Sequence, residues 1–133
     1  MNVVYPAAWD ALKYPWRRLE LIWQLQDILG LKKTVAVQSH DRRIDDAYHF
    51  LFDDTDLASN PEKEIGVSLL HSHEVACISE LSRRLDELCM ELGDAASQAF
   101  IDHPKWQCVE DAASVALDML YKAGIPDQDS VAE

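Results

Sequence analysis

The stretch Trp16–Leu29 most constrains the fold, because it is apolar around most of a helix. At 100° per residue, Trp16, Leu19, Leu21, Ile22, Trp23, Leu25, Ile28 and Leu29 cover roughly two-thirds of the circumference. Glu20, Gln24 and Asp27, flanked by Arg17, form the one polar strip. A helix wet on so thin a strip has to sit centrally, with neighbours on both flanks. Pro15 and Gly30 bracket it as start and stop signals.

The neighbours are legible in the same periodicity. Ile44, Ala47, Tyr48, Leu51 and Phe52 follow helical spacing within 41–52, with Ser39 or Asp41 as the cap. The segment 53–64 reads as a polar loop with Asn60-Pro61 as its turn. From about His73 to Leu92, Ile78, Leu81, Leu85, Leu88 and Leu92 mark an inward face, with Glu80, Arg83, Arg84, Glu87 and Glu91 opposite. Glu80–Arg84 and Arg83–Glu87 are i,i+4 pairs on that outer face. Ser72 can cap this helix, and Gly93 ends it. Asp94 can cap a short helix to Ile101, broken by His103-Pro104. A last helix over 105–123 turns Val109, Ala113, Ala116, Leu117 and Leu120 inward. The expected fold is mainly α, a single-domain bundle of four to five helices. Residues 34–38 and 65–70 are candidate strands of a short β-hairpin. Residues 1–126 then form one domain, and residues 127–133 an acidic flexible tail.

Composition excludes several functions. Residues 1–43 carry seven Lys/Arg against four Asp/Glu, and residues 44–133 carry five against twenty, giving +3 − 15 = −12. With a pI near 4.6, general nucleic-acid binding and adsorption to anionic membranes are not expected. The doublets Arg17-Arg18, Lys32-Lys33, Arg42-Arg43 and Arg83-Arg84 read as helix-surface charge. No run approaches the length of a membrane span, and Met1-Asn-Val-Val-Tyr-Pro does not open like a signal peptide. Three cysteines, Cys77, Cys89 and Cys108, fall on faces read as buried, without a CxxC pair. They suit a reducing cytoplasm.

Three constellations can carry chemistry. Asp45, His49 and Asp53 repeat at i, i+4, i+8, a geometry that raises the histidine pKa. His71-Ser-His73-Glu74 converges on a metal if extended, but on a helix its rings diverge by about 200°. The block Asp45, Asp46, Asp53, Asp54 and Asp56 places negative charge near a helix C-terminus, against the macrodipole. Nucleophile elbows and phosphate loops are missing from the sequence. Tyr5, Trp9, Tyr14, Trp16 and Trp23 are expected to wrap the central helix, with an exposed subset as the alternative interface anchor.

The run His49-Phe-Leu-Phe-Asp-Asp-Thr-Asp-Leu57, then Asn60-Pro61, Ile65-Gly66, Glu74-Val75 and His103-Pro-x-Trp106-x-x-Val109, resembles a family of small acidic bacterial proteins of uncharacterised function. The resemblance spans roughly residues 40–123 and carries no enzymatic signature. Such domains are similar in size and charge to immunity proteins of bacterial toxin systems. The expectation is therefore a cytoplasmic, non-enzymatic binding protein without a cofactor. It engages a basic protein partner, a toxin effector domain, through Asp45, Asp46, His49, Asp53, Asp54 and Asp56. The alternatives are a metal-binding protein or metal-dependent enzyme using His49, His71 or His73, and a homodimer built on the N-terminal aromatics.

Overall fold

The structure is a computed structural model and describes residues 11–34, 42–93 and 95–123. Five α-helices succeed one another: α1 (Pro15–Thr34), α2 (Arg43–His49), α3 (Ser72–Leu92), α4 (Ser97–Asp102) and α5 (Trp106–Ala123). No strand occurs among the described residues, so the fold is all-α. The expected tail at 127–133, most of the candidate strand at 34–38, and the caps Ser39, Asp41 and Asp94 lie outside the described residues.

Helix α1 takes the central position its apolar arc requires, packing on α2 on one side and α5 on the other, while α3 packs along α5. Leu21, Leu25, Ile28 and Leu31 of α1 are fully enclosed. Gly30 does not stop the helix as expected, and α1 continues to Thr34. Leu31 extends the buried stripe by one more turn, and that burial outweighs the glycine's cost of about 1 kcal/mol. Lys32 and Lys33 then sit in the last turn, where the helix dipole favours cations.

Helix α2 begins at Arg43 behind Arg42, which gives no side-chain cap, and runs directly into a π-helical turn, Phe50–Asp54. The wider turn persists because its carbonyls find partners beyond the helix. The Thr55 hydroxyl donates to Phe50 O at 2.8 Å, and Ala58 N–H donates to Leu51 O at 3.0 Å. The added residue per turn brings Phe50 inward beside Leu51. Tyr48 and Phe52 stay half-buried, with rings stacked at 4.3 Å.

The expected hairpin strand at 65–70 is instead a tight turn with one isolated bridge between Ile65 and Leu69. The Glu64 carbonyl accepts from the N–H groups of Val67, Ser68 and Leu69, each at 2.9 Å, which coils the chain too sharply for a ladder. Gly66 reverses direction at φ +87. Helix α3 starts one residue earlier than the Ser72 cap implied, with His71 as N-cap. Its inward face is as expected: Ile78, Leu81, Leu85 and Leu88 are buried. Gly93 ends it at φ 59, ψ −126, a conformation that a side chain strains. Helix α4 has Ala96 at its N-cap. In α5, Val109, Ala113, Ala116 and Leu120 are enclosed, and the buried Trp106 indole donates to Glu110 at 3.0 Å.

Candidate functional site

Helix α2 and its π-turn present the aspartate block to solvent. Asp45, Asp46, His49, Asp53, Asp54 and Asp56 are all exposed. Their apolar partners in the same segment, Ile44, Ala47, Phe50 and Leu51, are buried, so the core-facing side fixes which way the carboxylates point. Within the block, His49 Nδ1 pairs with Asp53 Oδ2 at 2.5 Å. That bond, aided by the charges of Asp53, Asp45 and Asp54, raises the His49 pKa above its ordinary value. The imidazolium is thereby favoured. Together with Arg42 and Arg43 at the start of the segment it only partly offsets the five aspartates, so the segment stays net negative. Beneath it the Tyr48 hydroxyl donates to Asp86 of α3 at 2.9 Å, and this bond pushes the phenol pKa up. Such a face attracts cations at long range.

The other histidine motif does not assemble a centre. His71 is the N-cap of α3 and His73 lies in its first turn, both exposed. Among the described residues, no three His, Cys, Asp or Glu side chains are gathered to hold a metal ion. His40 lies outside the described residues. His103 uses Nδ1 to accept from Lys105 N–H at 3.0 Å and Nε2 to bond Glu91, an acid read from the sequence as plain helix exterior. This bond holds the Glu91 carboxyl below the usual range.

The largest departure from the sequence reading is the doublet Arg17-Arg18. It is not surface charge: Arg18 is 0% exposed and pairs with Glu74, itself 1% exposed. Arg18 Nη1 and Nη2 donate to the two carboxylate oxygens at 3.0 and 2.8 Å, a bidentate fork. The guanidinium also donates to Ser68 O at 3.1 Å and Leu120 O at 3.0 Å. Leu70 N–H donates to Glu74 Oε1 at 2.7 Å. Arg17 donates to a second buried carboxylate, Glu64, at 3.0 Å. Glu64 also accepts from the Ser68 hydroxyl at 2.6 Å and from Asp56 N–H at 3.1 Å. Two adjacent arginines thus clamp the 64–70 turn against α1. A signal existed in the spacing: Arg18 lies three, four and seven residues before Leu21, Ile22 and Leu25. Glu74 likewise lies four and seven before Ile78 and Leu81.

A groove of about 270 Å³ runs between α3 and α5, edged by Cys77, Glu80 and Arg84 on one side and Cys108, Asp111 and Val115 on the other. Burial raises the Cys77 thiol pKa, and no histidine is among the described residues lining the groove. The three cysteines are half-buried rather than enclosed, and all are free. Both outer-face pairs expected on α3 form, Arg84–Glu80 at 2.7 Å and Arg83–Glu87 at 3.2 Å.

Trp16 and Trp23 depart from the expected wrapping of the core: they are 53% and 46% exposed. Tyr5 and Trp9 lie outside the described residues. Among the described residues no helix is long and apolar enough to cross a membrane.

No match is found among curated proteins or among solved structures. One family model does match, over residues 16–128, from the start of α1 to beyond the end of α5. With that span covering every helix described above, the chain belongs to the family described as Domain of unknown function (DUF7945).

Proposed function

We propose that this chain is a non-enzymatic acidic binding protein that engages a basic protein partner, and that the partner is a bacterial toxin effector domain which it neutralises. One observation carries the reading: five aspartates of a single short segment, with His49 among them, all face solvent, four from α2 and its π-turn and Asp56 just beyond it. A predominantly negative face steers a cationic partner and selects against acidic ones. Folding does not require the arrangement, since the core-facing residues of the segment already fix its position.

The test looks for a cationic effector domain encoded beside this chain's gene, and finding none counts against the reading. Mixing the two should form a stable complex and abolish the effector's toxicity. Changing Asp45, Asp46, Asp53, Asp54 and Asp56 to asparagine together should slow association and flatten its salt dependence. Unchanged association by the five-fold variant, or an effector left active by an excess of this chain, overturns the reading.

A further inference from the structure

Helix α1 buries one arc against α2 and α5 and leaves an opposite stripe uncovered. Trp16, Glu20, Trp23 and Asp27, at i, i+4, i+7 and i+11, fall within about 60° of one another and extend over about 16 Å. All four are exposed. Neither Glu20 nor Asp27 pairs with a cationic side chain among the described residues. The stripe therefore alternates indole and carboxylate. Half-exposed tryptophans on a helix that buries its leucines are not needed for the core, and tryptophan is the residue most enriched at binding hot spots.

The stripe joins the aspartate face through a chain of contacts rather than lying apart from it. Asp56 N–H donates to Glu64, Glu64 accepts from Arg17, and the Arg17 guanidinium lies over the Tyr14 ring at 4.9 Å. The Tyr14 ring centre is 5.2 Å from that of Trp16. At this end of α1 the protein thus already holds an arginine by the pairing at issue: a guanidinium stacked on an aromatic ring and bonded to a carboxylate.

We infer that the outer stripe of α1 is an arginine-reading surface. Trp16 and Trp23 stack guanidinium groups of a basic protein partner, while Glu20 and Asp27 accept their hydrogen bonds. The inference rests on the proposed binding of a basic partner and adds the residue type that is read. Arginine is preferred over lysine because a planar, weakly hydrated guanidinium stacks on indole and forks onto a carboxylate, whereas an ammonium stays hydrated.

The experiment titrates the full-length protein with fluorescein-labelled oligoarginine and oligolysine of equal length, following anisotropy and tryptophan quenching. Oligoarginine should bind more tightly, and Trp16→Ala with Trp23→Ala should weaken it about tenfold while barely changing oligolysine. Glu20→Gln with Asp27→Asn should also reduce the arginine preference, and it leaves both indoles in place if the tryptophan variant folds poorly. Equal binding of both peptides by the unaltered protein, or an arginine preference that survives both double variants, overturns the inference. So does a homodimer in light scattering that the tryptophan variant dissolves, because a second copy then covers the stripe. The five-aspartate variant separates the two proposals. If it weakens both peptides alike while the arginine preference persists, the stripe and the aspartate face both stand. If it changes nothing while the tryptophan variant loses arginine binding, the stripe stands and the aspartate reading fails.

Discussion

Replacing Glu74 by alanine removes from the enclosed Arg18 guanidinium the carboxylate that it bonds bidentately. In the intact protein Glu74 accepts three hydrogen bonds: two from Arg18, at 3.0 and 2.8 Å, and one from Leu70 N–H at 2.7 Å. The variant keeps the carbonyls of Ser68 and Leu120 as acceptors for the guanidinium. Removing one partner of a buried pair costs about 3–5 kcal/mol, because the remaining charge stays desolvated. With a urea slope of about 2 kcal/mol per molar, the unfolding midpoint should fall by about 2 M. The pair itself is worth far less than this truncation, since its Coulomb gain is set against the dehydration of both groups. Arg18→Met combined with Glu74→Leu should therefore cost less than the sum of the single changes by about 2 kcal/mol or more. Urea unfolding followed by circular dichroism on the four proteins of the cycle and on Glu74→Ala measures every term. A Glu74→Ala cost under about 1 kcal/mol, or simple additivity in the double variant, would refute the buried clamp.

Three further outcomes can be measured on the same material. His49, held to Asp53, should titrate by NMR above the ordinary value of about 6.5, and Asp53→Asn should bring it down. Because its folded pKa is raised, its contribution is present in full below the unfolded pKa and is lost as pH rises through the folded one, so stability should not increase across that window. Ser82 Oγ is buried without a hydrogen-bond partner among the described residues, so Ser82→Ala should raise stability by about 1 kcal/mol, and a loss of stability would show a bond the hydroxyl makes. Gly30 and Gly93 should respond oppositely to alanine. Gly30 lies inside α1 with open space at its Cβ position and should gain about 0.5–1 kcal/mol. Gly93, at φ +59, should lose about 1 kcal/mol or more, and matching signs at the two positions would contradict the assigned backbone.

Local periodicity determined the helices, because each has one face that must leave water and that face repeats at 3.6 residues. Leu21 and Leu25 of α1, Ile78 to Leu88 of α3, and Val109 to Leu120 of α5 are buried where their spacing put them. The exposed aspartates of α2 were legible for the same reason, as the complement of Ile44, Ala47 and Leu51. Tertiary structure alone decided where rules of propensity and charge met a stronger competitor. Gly30 continues a helix because Leu31 has a core to enter, and 65–70 is a turn because three N–H groups close on one carbonyl. Arg18 looked like a solvated cation because its partner lies fifty-six residues away in Glu74, a separation that no local pattern spans. Its burial, and the clamp that fixes the 64–70 turn to α1, exist only once α1, α3 and α5 surround it and exclude the water that would otherwise hold the charge at the surface.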